Sequence, residues 1–133
     1  MAMGKERIIE MAKETFCKNR EDFDLEKKKK EKGQNNKGKK NDKGKKSLSK
    51  SQIQTYMGTA KNADVFDEYL VFLEYQFERN LKGTEVAKSI ITDVKKLYKE
   101  YKGEKWQDAI AYYFGTLKRL VVAQWNCEES DGK

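Results

Sequence analysis

Lys118 and Arg119 stand side by side in "YYFGTLKRLVVAQ" and are the only basic residues between Trp106 and Trp125. An adjacent ammonium and guanidinium can hold a phosphate, the guanidinium through its forked donors. The plainer account is two charges emerging where an otherwise apolar helix meets water. Arg79, Asn80 and Lys82 offer the same pair of accounts, because cations at a helix C-terminus are favoured by the dipole alone. The carboxylates of Asp64, Asp67, Glu68, Glu74 and Glu78 suggest metal ligation, but a metal site in a helical bundle normally adds histidine ligands and the chain contains no His. Acids gathered at a helix N-terminus explain them more simply. Cys17 as a nucleophile would lack the base that activates it. Neither G-x-G-x-x-G nor G-x-x-x-x-G-K-[ST] occurs. The sequence therefore nominates no catalytic, metal or cofactor-binding residue, and the chain reads as non-catalytic.

The elements that must position the cations are helical. "KERIIEMAKETFCKN" places Ile8, Ile9, Ala12 and Phe16 on one face of a short amphipathic helix, too short to be stable without a partner. Ser49 followed by Gln52 is a capping box, and Ile53, Tyr56, Met57 and Ala60 continue it at helical spacing. A further helix starts near Asp64, with Phe66, Tyr69, Leu70, Leu73 and Phe77 on a face that Val71, Phe72 and Tyr75 widen. Gly83 supplies its stop and Thr84 the next N-cap. Ala87, Ile90, Ile91, Val94, Leu97, Tyr98 and Tyr101 mark the following helix, closed by Gly103. The last and central helix covers about 105–126, roughly 33 Å at 1.5 Å per residue. Period-two alternation is absent and so is proline. The expected fold is an all-α bundle of about five helices.

The chain has 133 residues, 38% of them charged and 11% aromatic, with a net charge of +7. That length suits one small domain, and the aromatic content is too high for disorder throughout. All of the positive balance comes from residues 27–46, which hold eleven Lys against Glu31 and Asp42. Residues 47–133 carry thirteen basic and thirteen acidic groups. Few apolar residues, Gly33, Gly38, Gly44 and mutual repulsion predict a disordered lysine-rich linker. The division is then an N-terminal helix over 1–20, the linker over 21–47, the main bundle over 48–126 and a flexible tail over 127–133. The tract can bind nucleic acid by counterion release, meet acidic surfaces generally, or be a tolerated insertion. Without interleaved aromatics its contacts would be diffuse and indifferent to sequence. The two cysteines, Cys17 and Cys127, form no paired motif. With neither a membrane span nor a targeting segment to be drawn, they are expected as reduced thiols in a cytoplasmic protein.

Three stretches in order, "LSKSQIQTYMGTA", "LEYQFERN" and "YYFGTLKRLVVAQ", together resemble the small subunit of type III CRISPR–Cas effector complexes, the Csm-type small subunit, over about residues 48–125. The lysine-rich insertion departs from that pattern. The resemblance implies an RNA-binding bundle without catalysis that stacks in several copies along a guide–target duplex. It also implies partnership with guide RNA, target RNA, and the backbone and large subunits of the complex. By position in the matching stretches, Lys50, Gln52, Arg79, Lys118 and Arg119 would face the RNA backbone. Two other functions are open: a free-standing nucleic-acid-binding bundle that uses the lysine tract, and a protein-interaction adapter.

Overall fold

The structure, a computed structural model, describes residues 5–23, 47–101 and 106–127. Among the described residues there are five α-helices: α1 (Lys5–Lys18), α2 (Lys50–Asn62), α3 (Phe66–Asn80), α4 (Glu85–Tyr101) and α5 (Trp106–Ala123). No strand occurs among the described residues, although Phe23 and Leu48 meet in a single bridge. The all-α bundle expected from the sequence is the observed architecture. The expected disordered linker falls almost wholly, and Gly103 fully, outside the described residues.

The centre is α5, where ten residues from Trp106 to Val121 are buried. Its Ile110, Tyr113, Phe114 and Leu117 are fully enclosed. Helix α2 lies antiparallel beside it: Lys118 hydrogen-bonds Gln54 near one end, and Gln107 donates to the Ala63 carbonyl at the other. A Cβ on Gly115 would meet the Met57 sulfur at 3.4 Å, so α5 faces α2 here at contact distance. Helix α1 crosses the other flank, antiparallel to α4. Arg7 makes a bidentate pair with Glu100, Thr15 reaches Asp93, and Asn19 reaches Ser89. Its face of Ile8, Ala12 and Phe16 is buried, as the helical spacing requires.

Local signals in the sequence set the helix ends. The Ser49 hydroxyl accepts from the Gln52 amide N–H while the Gln52 side chain accepts from the Ser49 N–H, completing the capping box. Thr84 caps α4 by accepting from the Ala87 N–H. Helix α3 ends at Asn80 with Leu81 as its C-cap, and Gly83 adopts φ +80° without a Cβ penalty in the turn that follows, where the Thr84 N–H bonds the Leu81 carbonyl. Because open space surrounds its Cα, Gly83→Ala meets backbone strain alone. It is expected to cost about 1 kcal/mol in urea unfolding, and an unchanged midpoint would show that the junction relaxes freely.

Two expectations are corrected. Helix α5 ends at Ala123 rather than continuing to 126, because Gln124 takes φ 52° and turns the chain. The Gln124 N–H then bonds the Val121 carbonyl and the Trp125 N–H bonds that of Leu120, the paired bonds of a Schellman ending. The cysteines are not reduced thiols: Cys17 and Cys127 form a disulfide across a sequence separation of 110. Cys127 is therefore fastened to the last turn of α1 and does not belong to a flexible tail. Residues 128–133 lie outside the described chain. No described helix is long and apolar enough to cross a membrane.

Candidate nucleic-acid interface

Of the five nominated residues, Lys118 sits where α5 meets α2, Arg119 follows it on α5, and Lys50 opens α2. Lys118 is half-buried between the core residue Leu117 and the exposed Arg119, and its ammonium donates to Gln54 Oε1 at 2.6 Å. That bond turns the lysine toward α2. Lys50 lies on the same face of α2 as Gln54, one turn earlier, about 6 Å along the axis. The antiparallel pairing thus brings Lys50 beside the C-terminal half of α5, where Arg119 is exposed. Val122, three residues beyond Arg119, exposes 57% of its surface on the same strip. The sequence did not single out Gln54, the residue that joins the two helices here.

Charge is distributed unevenly even though residues 47–133 sum to zero. Helix α2 carries Lys50 and Lys61 and no acidic residue. Helix α5 carries Lys118 and Arg119 near its end, with its single acid, Asp108, in the first turn. Helix α3 instead carries Asp67, Glu68, Glu74 and Glu78 against Arg79. Opposed local charge of this kind creates a field that net charge does not report. The absence of acids from "KSQIQTYMGTAKN" was visible in the sequence and is the signal that would have located this edge.

Arg79 and Gln52 are placed differently. Arg79, in the last turn of α3, donates to the Tyr75 hydroxyl at 3.1 Å and sits 5.6 Å from the centre of the Tyr75 ring. Tyr75 itself is 55% exposed, so the two form a cation–aromatic platform on the acidic helix. Gln52 has its carbonyl oxygen committed to Ser49, accepting from both the backbone N–H and the hydroxyl. Its side chain holds the start of α2, and only its amide nitrogen is left to face outward.

The acidic residues of α3 form no metal cluster; among the described residues no group of three or more His, Cys, Asp or Glu side chains converges. The strongly perturbed groups belong to the core. Burial holds the Asp93 carboxyl above the ordinary carboxylate range, against opposing hydrogen bonds from Thr15 and Tyr113. Burial, assisted by Asp93, raises Tyr113 well above the usual phenol range. Tyr69 is likewise raised by burial, with its hydroxyl donating to the Tyr56 carbonyl. These groups tie helices together: Asp93 of α4 joins Thr15 of α1 to Tyr113 of α5, and Tyr69 of α3 joins α2. Comparison with family models, curated proteins and solved structures finds no match to this chain.

Proposed function

We propose that this protein is a non-catalytic, RNA-binding small subunit of a type III CRISPR–Cas effector complex. In this reading several copies stack along the guide–target duplex in the cytoplasm beside the backbone and large subunits, and the α2–α5 edge contacts the phosphate backbone. The observation that supports it is that Lys118, beside Arg119, reaches across to Gln54 of α2, an acid-free helix that Lys50 opens, and that these cations lie inside two of the stretches that resemble the family. Arg79 with Tyr75 supplies a second, separate point of contact. A surface with few cations binds RNA weakly as a single copy and strongly when an assembly aligns many copies.

The test uses complexes rebuilt with Lys50→Ala, Lys118→Ala and Arg119→Ala combined. Target-RNA affinity is expected to fall similarly for every RNA sequence. The slope of log K against log salt should shrink by about one unit per cation removed. Arg79→Ala alone should remove about one further unit. Unchanged affinity in a correctly assembled complex would make these residues ordinary surface charges and favour the adapter function. Loss of RNA binding only when residues 27–46 are deleted would favour a bundle that works through its lysine tract, whose eleven Lys are the chain's densest charge.

A further inference from the structure

The Cys17–Cys127 bond joins the last turn of α1 to the segment just beyond the end of α5. Both residues are half-buried, so their sulfurs lie near the surface rather than in the core. Arg20 binds this junction from the side. Its Nη1 donates to the Trp125 carbonyl and lies 3.9 Å from Cys127 Sγ, and its Cζ lies 5.3 Å from the centre of the Phe16 ring. Lys13 stands over the Trp125 ring. The two sulfurs therefore differ in environment. Cys127 has a guanidinium beside it, whereas Cys17 lies at the carbonyl end of α1, where the helix dipole disfavours an anion.

Helix α1 depends on what it is fastened to. Its 14 residues are too few to remain helical alone. It covers Asp93 and Tyr113 through Thr15, and it lays Ile8, Ala12 and Phe16 over α4 and α5. Beside this packing, the Arg7–Glu100 pair, the Asn19–Ser89 bond, the Phe23–Leu48 bridge and the contacts of Lys5, Lys13 and Arg20 with Tyr112 and Trp125, the disulfide is its one covalent attachment to the distant end of α5.

We propose that Cys17–Cys127 is a thiol-exchange site that locks α1 onto the bundle and that a dithiol reductant opens. One thiolate of the reductant attacks Cys17 Sγ, forming a new S–S bond as the Cys17–Cys127 bond breaks. The electron pair leaves on Cys127, whose thiolate the Arg20 guanidinium stabilises before it takes a proton from water. The second thiol of the reductant then displaces Cys17, so that the reductant leaves as its own disulfide and the protein holds two thiols. With the lock open, α1 frays and uncovers the α4–α5 seam. An oxidising compartment closes the lock and a reducing one opens it. This inference uses the opposite flank of α5 and none of the residues of the RNA reading, in whose reducing cytoplasm the lock would stand open.

The full chain is compared by hydrogen exchange in air-oxidised form and after dithiothreitol, with Cys127→Ser as a reductant-free open form. Amides of α1 are expected to exchange about thirtyfold faster or more in both open forms, the low end of what a cross-link over so long a loop contributes. Amides of α2 and α3 should be unchanged. Arg20→Ala should slow thiol release by dithiothreitol several-fold, and Arg20→Lys should restore most of the rate. The proposal is overturned if α1 exchange does not respond to reduction, or if every helix accelerates together. Free alkylation of both cysteines in the oxidised protein, or release at an unchanged rate from Arg20→Ala, would overturn it equally.

Discussion

Trp106→Ala is expected to lower the unfolding free energy by about 3–5 kcal/mol, one of the two largest single-residue effects in this bundle. Trp106 is 7% exposed and opens α5 where three helices meet. Its ring lies edge-on to Phe66 at 5.4 Å and to Tyr98 at 5.8 Å, and tilted toward Tyr69 at 6.2 Å. Phe66 and Tyr98 are themselves stacked at 4.0 Å. Removing the indole takes the shared partner from all three rings and leaves a void that helices crossing at a junction close only in part. Alanine favours helix at this position, so the loss reports packing and not helix propensity. Urea unfolding followed by circular dichroism measures it. For comparison, Val122→Ala, at a side chain 57% exposed, should change stability by less than about 0.5 kcal/mol. A loss below about 1 kcal/mol for Trp106→Ala would mean that the aromatic junction repacks and that the core lies elsewhere.

The aromatic junction shows what could be read in advance. Phe66, Tyr69 and Tyr98 were placed on helix faces by periodicity, which depends on neighbours within two turns. The capping box at Ser49 and Gln52 and the turn at Gly83 were legible for the same reason. Features that depend on distant residues were not. A disulfide between positions 110 apart leaves no spacing signal, and two isolated cysteines outside any paired motif read naturally as thiols. The end of α5 was overestimated because Gln124 is an ordinary helix former whose left-handed turn follows from the docking of Trp125 and Cys127 behind it. At the candidate interface the cations were legible and their grouping was not. Lys118 and Gln54 are 64 positions apart in the chain and meet only through the antiparallel packing of α2 on α5, which puts Lys50 one turn from that contact. The neutral sum over residues 47–133 concealed an acid-free helix beside an acid-rich one.

Asp93 is the site of the other large effect, and its pH dependence has a sign opposite to ordinary acid denaturation. The carboxylate oxygen Oδ2 accepts from the Thr15 hydroxyl of α1 and from the Tyr113 hydroxyl of α5, both at 2.5 Å. Thr15 is 4% exposed and Tyr113 fully buried, so Asp93→Ala orphans two buried hydroxyls at about 1–3 kcal/mol each. A loss of about 2–5 kcal/mol is expected from the two orphaned hydroxyls. The charged groups around it are Lys96 of α4, which favours the anion, and Glu14 of α1, which opposes it. Burial outweighs the bonds that favour the anion and holds the folded value above the unfolded one. Folded protein then binds more protons than unfolded protein across the interval between those values. Stability from this group is full below the unfolded value and is lost as pH rises through the folded one. Asp93→Asn has no such proton to lose. Measured by urea unfolding from about pH 4 to pH 8, its stability relative to the parent should therefore rise with pH and then level off. A relative stability that falls with pH would mean that the two hydroxyls and Lys96 outweigh desolvation, leaving Asp93 an ordinary paired carboxylate.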